Sequence, residues 1–179
     1  MLLAAFLAVA AIGGLAYSVQ STWSKEASGN VVPQSQALAA PNWTLIESSS
    51  GHAVSLSEAD QKGPVVLEFW ATWCGPCRAE LPEVISVSKK FAGRVSFYGV
   101  NCYDTRANIE SFRHYFQVPY PCLMDPGGKI SGRYDAGSIP LLVVIDTHGK
   151  VRTGFVGWDP SVGVASRLTN ALNALLAEQ

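Results

Sequence analysis

No run of basic residues and no alternation of basic with aromatic side chains occurs anywhere in the chain, and its formal net charge is only −1. Nucleic acid is therefore not an expected partner, because such surfaces rely on clustered Lys and Arg. No internal repeat is visible, which sets repeat architectures aside. The three histidines, His52, His114 and His148, have no metal-ligand spacing. Of the four cysteines, only the first two stand close together; nineteen residues separate Cys102 from Cys122. Zinc ribbons supply two close pairs, so zinc is not expected and no cofactor is implied. Apolar residues make up 48% of the chain, enough to exclude disorder.

Charge is also missing locally. Met1 to Ser24 contains no Asp, Glu, Lys or Arg, and Leu2 to Val19 is a continuous apolar stretch about long enough to span a bilayer as a helix. A membrane anchor over residues 1–20 is the favoured reading, ahead of a cleaved signal peptide and a buried helix. No cysteine follows the run, which excludes a lipoprotein anchor. The anchor and signal readings both send the remainder out of the cytoplasm. Residues 21–40, rich in Ser, Gln, Ala and Gly, read as a flexible linker. A single folded domain is expected over 41–179.

Within that domain the pattern alternates strands and helices. Trp43–Glu47 and Val54–Leu56, joined by Ser-Ser-Ser-Gly, predict a hairpin. Pro64–Trp70 and Leu141–Asp146 are nearly continuous apolar runs, as buried strands require. Helices are expected from about Cys74 to Phe91, and around Ile109, Phe112 and Phe116. Asp159 is the expected cap of a last helix whose apolar stripe is Leu168, Leu172, Leu175 and Leu176. The fold class is α/β, a sandwich around a mixed sheet.

Trp73-Cys74-Gly75-Pro76-Cys77 joins the strand to the first long helix. A thiol at a helix start is stabilised as thiolate by unpaired N–H groups and the dipole. A second thiol one turn on can attack a mixed disulfide formed by the first. The alternative is a small structural disulfide, but so short a loop stabilises little through chain entropy. Glu68 is the one charge in an apolar strand, on the same face as Val66 and Trp70. A carboxylate buried there is costly unless it works or is paired; the other reading is a solvated edge residue.

The stretches VVLEFWATWCGPCRAELP, PNWTL, YGVN, SIPLLVVID and HGKV resemble the TlpA/ResA branch of the thioredoxin superfamily, over nearly all of residues 41–157. The resemblance implies a thioredoxin fold with an N-terminal β-hairpin and a central strand-helix insertion. It also implies an extracytoplasmic, periplasmic thiol-disulfide oxidoreductase anchored in the inner membrane, reducing protein disulfides, including those of apocytochromes. Disulfide-containing proteins would be its substrates, with a membrane or extracytoplasmic thiol protein as electron donor. On this pattern Cys74 is the nucleophile, Cys77 the resolving thiol, and Glu68 the acid that assists proton removal from Cys77. Glu80 matches the acidic residue of the branch, against a plainer reading as a surface acid near a helix start. Pro140 matches a cis proline, with Ile139 offering its backbone to substrate beside Trp73, Gly75 and Pro76. Leu141 departs from the Thr or Glu often found after that proline, and suggests a different substrate groove. Cys102 and Cys122 fall on two strands of the insertion and are expected to form a structural disulfide, the alternative being two free buried thiols. A thiol oxidant or isomerase, or a non-catalytic interaction domain on the same fold, are the competing functions. A peroxidase would need an isolated reactive cysteine, for which there is no context.

Overall fold

The structure, a computed structural model, describes residues 30–178. The apolar segment Leu2–Val19 and the start of the linker lie outside the described residues. Among the described residues no helix is long and apolar enough to cross a membrane.

Eight strands form one mixed sheet: β1 (Leu38–Ala39), β2 (Thr44–Glu47), β3 (Ala53–Ser55), β4 (Val65–Trp70), β5 (Ser96–Cys102), β6 (Cys122–Asp125), β7 (Leu141–Ile145) and β8 (Lys150–Val156). Their order is β1-β8-β7-β4-β5-β6-β2-β3. Strand β4 is central, parallel to β5 and antiparallel to β7. All six of its residues are buried, Glu68 included, as its nearly continuous apolar pattern demands of a strand covered on both faces. Helices α2 (Gly75–Lys90), α3 (Arg106–Phe116) and α5 (Ala165–Ala177) pack on the face carrying Val66 and Trp70. The short helices α1 (Leu56–Ala59) and α4 (Lys129–Arg133) cover the face carrying Val65, Leu67 and Phe69. This is the thioredoxin plan with an N-terminal hairpin (β2-β3) and a central insertion (α3-β6).

Three expectations change. The linker ends earlier than residue 40. Leu38 pairs with Val151, Val32 N–H donates to Arg152 C=O at 2.8 Å, and Arg152 Nε donates back to Val32 C=O at 2.7 Å. Backbone pairing to an open sheet edge does not depend on the apolar pattern, so composition gave no sign of it.

Asp159 does not cap the last helix. Its carboxylate accepts from Ser161 N–H and Oγ, closing a turn that ends at Gly163 (φ +65°), and α5 begins only at Ala165. The cap comes from α2. Glu83 Oε2 accepts from the N–H groups of Val164 (2.6 Å) and Ala165 (2.8 Å), satisfying two orphan donors. Glu83→Ala should therefore cost about 1–2 kcal/mol in urea unfolding, in the range of lost helix caps. An unchanged midpoint would show that the cap contributes nothing.

The third change concerns Cys102 and Cys122. Strands β5 and β6 are parallel neighbours as expected, but Cys102 pairs with Asp125 and Cys122 with Gly99. An offset of three residues is about 10 Å along a strand, and an odd offset sends the side chains to opposite faces. Cys122 packs with the helices α2, α3 and α5, whereas Cys102 contacts Ser131 Oγ (3.1 Å) on the other face. Both are free, buried thiols and form no disulfide.

Candidate active site

Strand β4 ends at Trp70, and the chain crosses Ala71–Trp73 before α2 begins. Cys74 is the N-cap of α2, and Cys77 N–H donates to its Sγ at 3.1 Å. Pro76 occupies the first turn, where the N–H it lacks has no intrahelical acceptor. Cys74 and Cys77 are joined as a disulfide with Cα atoms 5.3 Å apart. In this state both cysteines are buried. Trp73 beside them is 64% exposed, and Gly75 and Pro76 are exposed. Trp70, in contrast, is buried against Phe112, with ring centroids 4.5 Å apart.

The peptide Ile139–Pro140 is cis, and Ile139 C=O lies 3.8 Å from Cys74 Sγ. Pro140 C=O accepts from Gly157 N–H at 2.8 Å, so the loop after β8 fixes this corner. Leu141 is fully buried on the sheet face away from the disulfide. It is a core residue, and the difference in substrate groove inferred from it does not follow.

Strand β4 and helix α2, the two elements that meet at the disulfide, each carry a buried carboxyl. Glu68 shares the helix-covered face with Cys77, and Tyr120 Oη donates to its Oε2 at 2.7 Å. Burial outweighs that hydrogen bond and pushes the Glu68 pKa up to about 7. Glu80, one turn past Cys77 on α2, is also buried, which removes the surface-acid reading. Burial, followed by the charges of Glu68 and Glu83, pushes its pKa up to about 9 against the pull of Arg167. At neutral pH Glu80 is a neutral acid, and Glu68 is poised between its two forms.

Sequence reasoning missed the residues that hold the active-site loop. Asp104 accepts from Thr72 N–H (2.7 Å) and Thr72 Oγ1 (2.8 Å), and is itself held by Asn101 Nδ2 (2.9 Å). From the other side Arg78 Nε donates to Thr72 C=O at 2.9 Å. The available signal was Asn101 at the end of an apolar strand with Asp104 three residues on. Among the described residues no group of three or more His, Cys, Asp or Glu side chains could hold a metal ion.

A Cys-x-x-Cys disulfide at a helix N-terminus, a cis-proline corner 3.8 Å away and a thioredoxin-fold sheet define a thiol-disulfide oxidoreductase. Residues 37–153 match the AhpC/TSA family, and the chain belongs to it. It is 30% identical to the thioredoxin-like protein YneN of Bacillus subtilis over 158 residues, 87% of this chain and 89% of YneN. It is 33% identical to the thiol-disulfide oxidoreductase ResA of Bacillus subtilis over 113 residues, 63% of this chain and 62% of ResA. Among solved structures it is similar to a candidate thiol:disulfide interchange protein DsbE from Chlorobium tepidum. That match has a TM-score of 0.70 and 28% identity, and covers 78% of this chain and 96% of that one.

Proposed function

We propose that the protein is an extracytoplasmic reductase of protein disulfides, tethered to the membrane through Leu2–Val19. The observation that carries the reading is the position of Cys74 Sγ, at the α2 N-terminus and 3.8 Å from Ile139 C=O beside the cis proline. An extended polypeptide laid along that corner would present its own disulfide to Cys74.

After a donor dithiol has opened the Cys74–Cys77 bond, the Cys74 thiolate attacks one sulfur of a substrate disulfide. A Cys74–substrate bond forms, the substrate S–S bond breaks, and the departing sulfur leaves as thiolate and takes up a proton. Cys77 then loses its proton to Glu68 and attacks Cys74 Sγ. The Cys74–Cys77 bond re-forms and the second substrate sulfur leaves. The substrate gains two electrons and this protein loses them, so each cycle needs a thiol protein outside the cytoplasm as donor. The apolar segment and the resemblance to reductants of apocytochromes support the location and the substrate class. Gly75 and Pro76 between the cysteines support the reductive direction over the oxidant or isomerase reading.

The reduction potential tests the direction. It should lie nearer the thioredoxin value of about −270 mV than the roughly −120 mV of a strong periplasmic oxidant. A potential at the oxidising end would reverse the reading. Cys77→Ser should accumulate substrate as a mixed disulfide on Cys74, visible by non-reducing electrophoresis and released by dithiothreitol.

A further inference from the structure

The insertion also reaches the buried carboxyl of β4. Tyr120 lies just ahead of β6, and its hydroxyl crosses to Glu68 on β4, two strands away, at 2.7 Å. Both residues are buried. Glu68 pairs with Gly99, and Gly99 with Cys122, so the three form one row across β4, β5 and β6. A Cβ on Gly99 would stand 2.8 Å from Trp70 Nε1 and 3.5 Å from Cys122 Sγ, so the middle of the row has no space for a side chain. Gly99 N–H donates to Pro121 C=O at 3.0 Å, which fixes the Pro121–Cys122 peptide just past Tyr120, and Phe97 flanks the phenol ring with centroids 6.0 Å apart.

We propose that Tyr120 is a positioning residue for the thiol-disulfide exchange: its hydroxyl orients the Glu68 carboxylate and stabilises the charged form that accepts the Cys77 proton. The proposal rests on the reading of Glu68 given under Proposed function. A phenol suits the task because it donates one hydrogen bond without bringing a charge into an apolar cluster. A Lys or Arg there would neutralise the carboxylate and weaken it as a base. Burial and the charge of Glu68 push the Tyr120 pKa well up, so the hydroxyl remains a donor throughout the working range.

The ionisable groups around Glu68 can be named element by element. Helix α2 contributes Cys77 and Glu80, the segment before β6 contributes Tyr120, and β6 contributes Cys122, kept as a neutral thiol by burial. From β7 the paired residue is the apolar Leu142, and from α5 Arg167 acts on Glu80. Of these, Tyr120 is the group hydrogen-bonded to the carboxylate. Removing it leaves burial to dominate, so the Glu68 pKa should rise further above its ordinary value.

The test is carboxyl-carbon NMR titration of Glu68 in the oxidised full chain, with the pH profile of mixed-disulfide resolution in parallel. In Tyr120→Phe both midpoints should move up by about one pH unit, with resolution about tenfold slower below them and the first attack by Cys74 unchanged. Site-specific 3-fluorotyrosine at position 120, a stronger donor, should move both midpoints down. Tyr120→Phe should add no further loss to Glu68→Gln. An unmoved Glu68 midpoint, a rate loss equal at every pH, or additive losses in the double variant would overturn the proposal. If the wild-type protein reduced no disulfide substrate, the functional reading would fall, while the NMR titration would still decide whether Tyr120 governs Glu68.

Discussion

Cys74→Ser is expected to reduce insulin-disulfide reduction to the uncatalysed background, a loss on the order of 10³ or more, as when other enzymes lose their nucleophile. Serine keeps the N-cap, since its oxygen can accept from Cys77 N–H as the sulfur does. What disappears is a thiolate able to form and release a sulfur–sulfur bond. Cys77 alone is a poor replacement because it lies inside the first turn of α2, whereas Cys74 is the N-cap and adjoins Ile139 C=O at the cis-proline corner. Turbidity from precipitating insulin B chain, with dithiothreitol as donor, measures the effect. A Cys74→Ser protein retaining a tenth of the wild-type rate would remove Cys74 from the role of nucleophile.

Glu80→Gln should stabilise the oxidised protein. In the unfolded chain this carboxyl ionises near its ordinary 4.5, whereas burial holds the folded-state pKa up at about 9. Between those values the folded state keeps a proton that the unfolded state loses, so the wild type loses stability as pH rises. The amide, neutral at every pH and of the same shape, escapes this loss. At pH 7 the difference should be about 3 kcal/mol, or roughly 5–10 °C in Tm for a domain of this size. The advantage should vanish near pH 4.5 and grow towards pH 9. Glu68, pushed up to about 7, adds a smaller loss of the same sign between about pH 4.5 and 7. Calorimetry of the oxidised protein at pH 5, 7 and 9 checks this; a pH-independent difference would mean that Glu80 is ionised in the fold. A stabilising substitution at this position is the pattern expected where the fold holds an acid in an unfavourable environment.

Much of the site was legible in the chain because its parts are local. Trp73 to Cys77 are consecutive, the apolar run of β4 places them at a strand end, and the helix start supplies the electrostatics. Glu68 was conspicuous as the one charge in that run, and its burial on the α2 side follows from the two-residue alternation of a strand. The cis bond at Pro140 came from the resemblance rather than from periodicity, and the burial of Glu80 came from neither. Nothing in the local pattern distinguishes Glu80 from a surface acid until α5 covers it.

The sequence by itself therefore determined the elements, their faces and the redox pair, because period and punctuation report what each segment must bury. Tertiary structure alone decided what depends on register and on distant partners. Cys102 and Cys122 lie on adjacent strands, yet the β5-β6 pairing offsets them by three and puts the thiols on opposite faces. The cap of α5 comes from Glu83, 82 residues before Ala165, and β1 pairs with β8 across more than 110 residues of chain. Tyr120 meets Glu68 at a separation of 52 residues, across the intervening strand β5. A hydrogen bond or a register is a relation between two segments, and neither segment's own pattern of burial encodes it.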